Sequence, residues 1–216
     1  MQVEILVPTT GKDITLGQYQ KYASIETEEN KNTPFILQKM LEIFCSVDLK
    51  DVAKVKYTDL LSISETINKI LNKEYPLTER FTLDNVEYGF IPLLEDISLG
   101  EYIDLDTNFS DWKSMHKAMS VLYRPVVDKR ENRYTIQEYE GTNNQLKDMP
   151  IDIVFGAVVF FYRLSQELLT ATLNYLAMGD KLVKEQEEIL EKNGVGINQS
   201  MHLLKETLQS LNISLN

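Results

Sequence analysis

The sequence predicts a mainly α fold of the α+β class. Two related units, each a β-hairpin followed by helices, arise from an internal duplication, and further helices close the C-terminal end. Three observations predict this. Asp13-Ile14-Thr15-Leu16-Gly17-Gln18-Tyr19 recurs 83 positions on as Asp96-Ile97-Ser98-Leu99-Gly100-Glu101-Tyr102, with five of seven residues identical and the others exchanged Thr/Ser and Gln/Glu. Val3-Glu4 matches Val86-Glu87 at the same offset. Apolar residues then recur at helical spacing after each copy, whereas short alternating runs and turn pairs cluster before it. The boundaries read as a first unit over 1–78, a second over 79–180 with an inserted arm at 126–147, and a C-terminal helical segment over 181–216.

Each motif copy is read as a helix start. Thr15 or Ser98 is the N-cap, and Gln18 or Glu101, three residues on, reaches back to the cap's own N–H, forming a capping box. Ile14 with Tyr19, and Ile97 with Tyr102, can close a hydrophobic staple. Gly17 and Gly100 fall outside capping logic, and close backbone packing is expected at both. A phosphate-binding reading of these helix starts is weaker, because Asp13, Asp96 and Glu101 would repel an anion.

In chain order, Val3 to Val7 alternates weakly and runs into the turn cluster Pro8 to Lys12, with Asp13 to Leu16 expected to return as a short strand. After the first motif and a polar stretch, Pro34 opens a helix carrying Phe35, Leu37, Met40, Leu41 and Phe44, and another helix follows through Thr58 to Leu61. Asp84-Asn85 between Phe81-Thr82-Leu83 and Val86-Glu87-Tyr88 predicts a tight hairpin. Asp104 to Asp111 is expected as an acidic loop. A helix with Trp112, Met115, Met119 and Leu122 stops before Pro125, and Ile151 to Tyr162 reads as a helix buried on most sides. Val126 to Lys147 is a short hairpin or an exposed arm, whose Lys129, Arg130, Arg133 and Tyr134 are candidate protein contacts. Lys181 to Leu190 is a charged helix ending at Asn193-Gly194. The last helix carries Met201, Leu204, Leu208 and Leu211 on one face, and Leu204, Leu208 and Leu211 are further candidate contacts.

The formal net charge of −11 over 216 residues argues against a broad nucleic-acid surface and against docking on anionic lipid. The apolar run at Ile151 is about a dozen residues, short of the ~20 that span a bilayer. Cys45 is the only cysteine. It reads as a small core residue in a chain from a reducing compartment. The N-terminus carries no basic start or long apolar stretch, so no secretory signal is expected. The two histidines, His116 and His202, lack ligand spacing and are expected to be partly exposed. No phosphate loop, dinucleotide fingerprint or nucleophile elbow is present. The reading is therefore of no enzyme, no cofactor and no metal. The abundant acids leave a hydrolase with a carboxylate site open as a distant reading.

Asp13-Ile14-Thr15-Leu16-Gly17-Gln18-Tyr19-Gln20-Lys21-Tyr22 resembles the openings of small structural or assembly proteins of tailed bacteriophages. Ile97 to Asp106 and Trp112 to Pro125 are similar to proteins of crAss-like phages. The resemblance implies a non-enzymatic role as a ring or adaptor subunit of the neck or tail. It further implies a homo-oligomer contacting other phage structural proteins, made in the host cytoplasm and carried in the virion. A tail-assembly chaperone is the alternative it leaves.

Overall fold

In the computed structural model, residues 5–31, 33–130 and 133–177 are described. The longest helix among the described residues organises them. Its N-terminal half is apolar almost without interruption, so it buries on every side: Ile151, Val154 and Ala157 are fully enclosed, with Ile153, Phe155, Val158 and Val159 nearly so. Tyr19, Phe90 and Phe109 set their rings against it, on Phe155, Phe160 and Phe161.

The first is α1 (Leu16–Ala23), started by Thr15, whose hydroxyl accepts from the Gln18 N–H while the Gln18 side chain accepts from the Thr15 N–H. Thr33 caps and Pro34 opens α2 (Pro34–Phe44), which buries Ile36, Leu37, Met40, Leu41 and Phe44. Phe35, expected among them, is half exposed at 50% because it lies off that face. The short α3 (Leu49–Val52) leads to α4 (Tyr57–Leu71), which buries Leu60, Ile67, Ile70 and Leu71. Strands β1 (Arg80–Leu83) and β2 (Val86–Phe90) form the expected hairpin. Its turn residues Asp84 and Asn85 both hold positive φ (49° and 64°), which a tight two-residue turn requires.

Then come α5 (Leu99–Phe109) and α6 (Met115–Leu122), the latter entered through a 3-10 turn at Trp112–Ser114. The chain passes directly into β3 (Tyr123–Arg130), which is followed by β4 (Arg133–Ile136). A 3-10 turn at Asn144–Asp148 then feeds the long helix, α7 (Ile151–Ala177). The four strands form one antiparallel sheet in the order β1-β2-β3-β4, with a register irregularity between Val126 and Asp128. Phe90 and Tyr123, paired across β2 and β3, carry the sheet onto α7 through Phe160. The class is α+β.

Four expectations are corrected. No strand precedes α1 among the described residues. A 3-10 turn at Gly11–Asp13 stands there instead, because the Asp13 carboxylate accepts from the Thr9 and Thr10 N–H groups and closes the chain on itself. Those backbone bonds also hold the Asp13 carboxyl below its ordinary range. Asp104 to Asp111 is not an acidic loop: α5 continues through Phe109, and its last turn is supported by the Asn108 side chain donating to the Asp104 carbonyl. Of the two readings of Val126 to Lys147, the hairpin holds and the exposed arm does not, since β3 and β4 complete the sheet and the chain then seals the core with Leu146 and Met149. His116 is 4% exposed rather than partly exposed. Its Nδ1 lies 3.1 Å from the Gln20 amide nitrogen, and burial, helped by Lys147 and Lys117, lowers its pKa.

The first motif is central to this architecture. Leu16 N–H donates to the Met149 carbonyl and Ile151 N–H to the Ile14 carbonyl, so Thr15 and Pro150 form a bridge that ties the start of α1 to the start of α7. Tyr19 meets Trp112 and Phe155 edge-on at 4.7 and 5.2 Å between ring centres. Cys45 is buried, and burial pushes its thiol up to about 11.

Candidate docking surface

The second motif copy starts a helix by the same chemistry and then uses it differently. The Ser98 hydroxyl accepts from the Glu101 N–H, and the Glu101 carboxylate accepts from the Ser98 N–H at 2.7 Å. A carboxylate can do a second thing that Gln18 cannot, which is to bind a cation. Arg124, at the root of β3, reaches Glu101 at 2.8 Å, with both side chains largely buried (12% and 8% exposed). Burial pushes the Glu101 carboxyl up, but the hydrogen bonds from Ser98 and the Arg124 guanidinium outweigh it, and the net shift is downward. Arg124 Nε is buried without a partner among the described residues. Beside this pair the Tyr139 hydroxyl donates to Asp104 at 2.8 Å. Burial and the Asp104 charge raise the Tyr139 pKa. The inner side of α5 is thus fastened by Glu101, Asp104 and the buried Phe109, which packs against Phe161.

The outer side of α5 is bare. Leu99, Tyr102 and Ile103 are 74%, 42% and 52% exposed, and Leu93 just ahead of the helix is 61% exposed. Positions i, i+3 and i+4 share one helix face, so the three form a continuous apolar stripe. Here the repeat parts company with itself. Leu16 and Tyr19 are core residues, whereas Leu99 and Tyr102 face solvent, and no buried counterpart of the Tyr19 contact exists for Tyr102. The glycines differ likewise. A Cβ on Gly17 would sit 3.1 Å from the Lys147 carbonyl oxygen, whereas one on Gly100 would meet nothing within 4 Å, so the expectation of close packing at Gly100 is corrected.

The other candidate contacts lie on the β3–β4 hairpin. Tyr134 is half-buried: its ring covers Gly89, where a Cβ would stand 2.4 Å from it, and its hydroxyl donates to the Phe90 carbonyl. Arg80 lies over the same ring at 5.6 Å. Lys129 bonds Glu87 of β2 at 2.7 Å, and Arg130 meets Asp128 at 3.2 Å while its side chain stays 86% exposed. Arg133 is exposed, and Val127 is 64% exposed. Leu204, Leu208 and Leu211, like His202, lie outside the described residues.

Arg124, Tyr139, Leu93, Leu99 and Ile103 were not singled out by sequence reasoning. The signal for the stripe was present in the spacing of Leu99, Tyr102 and Ile103, but reading residues from 104 as a loop hid the helix that makes them one face. Among the described residues no group of three or more His, Cys, Asp or Glu side chains is placed to hold a metal, and no helix is long and apolar enough to cross a membrane. No protein-family model, curated protein or solved structure matches the chain.

Proposed function

We propose that this chain is a non-enzymatic structural subunit of a tailed-bacteriophage particle, a ring or adaptor component of the neck or tail. It would self-assemble and contact other structural proteins of the virion. The observation that carries the reading is the outer face of α5, where a helix firmly anchored on one side turns Leu99, Tyr102 and Ile103 to solvent on the other. Exposed apolar side chains side by side on one helix face are a feature through which proteins bind one another, and this supports the reading. The resemblance of the two motif regions to phage structural proteins supplies the context. The net charge of −11 suits a part that DNA passes without adhering. We read the two motif copies as traces of a duplication in which one copy kept a core role and the other was released to the surface.

Mass spectrometry of purified particles tests this. A stoichiometric band of the chain supports the structural role. Its presence in infected cells with absence from particles would replace that role with a tail-assembly chaperone.

A further inference from the structure

Independently of that reading, we propose that Gln20 and His116 form a proton-operated latch. An uncharged His116 lets the Gln20 amide hold the C-terminal half of α1 to the Trp112–Ser114 turn, and proton uptake on the ring releases it. Hydrogen-bond chemistry fixes which way each group points. The Gln20 side-chain nitrogen lies 2.7 Å from the Trp112 carbonyl oxygen and 3.3 Å from that of Lys113. A carbonyl oxygen only accepts, so the amide presents its NH2 group here and not its oxygen. The same nitrogen lies 3.1 Å from His116 Nδ1. Nδ1 therefore accepts and carries no proton, and the neutral ring holds its hydrogen on Nε2.

A second proton has no place in this arrangement. On Nδ1 it would set two N–H groups against each other across 3.1 Å. Relief comes if the Gln20 amide turns its oxygen to the ring, which takes its NH2 group away from both carbonyls, or if α1 backs off. Either way the polar tie between α1 and the turn is lost. The ring is buried, and the charges that act on it are positive: Lys147 from the Asn144–Asp148 turn and Lys117 from α6 itself. From α1 it meets the neutral Gln20 amide, and Lys113 of the Trp112 turn is exposed. A hydrogen bond with the Asn144 side chain favours the charged ring, but burial and the two lysines prevail, so proton uptake is held below the ordinary 6.5. Release stays local. The start of α1 remains pinned to α7 by the Thr15–Pro150 bridge, and the Gln18 amide still donates to the Ile43 carbonyl. Tyr19 precedes Gln20 and meets Trp112 edge-on at 4.7 Å, so losing the tie loosens this aromatic contact.

Trp112 is the only tryptophan in the chain, so its fluorescence reports on the latch. The test follows emission wavelength and circular dichroism of the full chain from about pH 8 to about pH 4.5, in three forms: unaltered, His116→Asn and Gln20→Ala. The asparagine oxygen can replace Nδ1 as the acceptor but does not titrate. The unaltered chain should show a reversible shift to longer wavelength with a midpoint below 6.5, while its helical content holds. His116→Asn should lose the shift and keep the shorter wavelength throughout. Gln20→Ala should emit at the longer wavelength at every pH, although His116 still titrates by NMR of its ring nitrogens. NMR of the unaltered chain above about pH 7 should find Nε2 protonated and Nδ1 bare, the signals missing from His116→Asn being those of His116. An emission that never moves overturns the latch, as does a shift that persists in either variant. A shift that coincides with loss of helix, or a neutral ring with its proton on Nδ1, overturns it as well. Should His116→Asn fail to fold, Gln20→Ala, at a half-buried position on α1, decides alone: a histidine acting through burial and charge without the Gln20 tie would leave the shift in place there.

Discussion

At the scale of single residues, the exchange of Gln18 for Glu101 carries the most physical consequence. Both complete a capping box, but only the carboxylate also binds a buried guanidinium. Loss of a cap interaction costs about 1 kcal/mol, whereas breaking a buried ion pair costs about 3 kcal/mol, at the low end of its range because Arg124 keeps some contact with solvent. Gln18→Ala should therefore lower the free energy of urea unfolding by about 1 kcal/mol and Glu101→Ala by several times that. Glu101→Gln should fall between them, keeping the cap and losing the charge. The same carboxylate makes stability pH-dependent. Its folded pKa lies below the ordinary 4.5, so its contribution is complete above 4.5 and is lost as pH falls through the lowered folded value. His116 acts in a higher window. Its folded pKa is depressed below 6.5 by burial, so the unfolded chain takes up a proton that the folded chain refuses. Stability should decline as pH drops from 6.5 toward the folded value, and the slope of unfolding free energy against pH should be shallower in His116→Gln.

At the scale of elements, the repeated motif shows how identical local chemistry is spent on different tertiary roles. Helix starts depend on a few neighbouring residues, so Thr15, Ser98 and their partners were legible in sequence. The hairpin at Asp84-Asn85 was legible for the same reason, since the turn type demands residues that tolerate positive φ. Burial is decided by what lies opposite, and nothing in the motif states that. Gly17 faces the Lys147 backbone and Gly100 faces open space, although the two segments are nearly the same word. A pair of substitutions separates the roles. Gly17→Ala should destabilise, because the new methyl meets a carbonyl oxygen at 3.1 Å that cannot swing aside. Gly100→Ala, on an exposed helix with room to spare, should stabilise by about 0.5–1 kcal/mol through reduced freedom of the unfolded chain. Thermal melts of both variants, monitored by circular dichroism, give opposite signs if the two sites differ as described. The docking face was lost to sequence reasoning for a related cause. Asp104, Asp106, Thr107 and Asn108 are poor helix formers in isolation. It takes the Glu101–Arg124 pair and the Phe109–Phe161 contact, both long-range, to hold them helical.

At the scale of the whole molecule, the question is whether two sequence units make two folding units. The contacts cross the expected boundary at 78 in its most buried places. Tyr19 of the first unit rests on Trp112 and Phe155 of the second, the Leu16 and Ile151 N–H groups bind across the same divide, and the Tyr123 hydroxyl donates to the Thr78 carbonyl. One continuous apolar cluster includes Ile14, Leu41 and Ile67 together with Tyr88, Met119 and Val154. A core shared in this way unfolds together, because exposing either half strips the other of its partners. The full chain should therefore show a single calorimetric transition across residues 5–177, with the van't Hoff and calorimetric enthalpies of that transition in agreement. A fragment of residues 1–78 should lack a cooperative transition, since α1 would present to water the Tyr19 face that Trp112 and Phe155 cover in the whole chain. Two separated transitions, or a fragment that melts cooperatively on its own, would mean that the units fold independently, and that the interlocking of α1 with α7 is a docking of finished domains rather than the making of one.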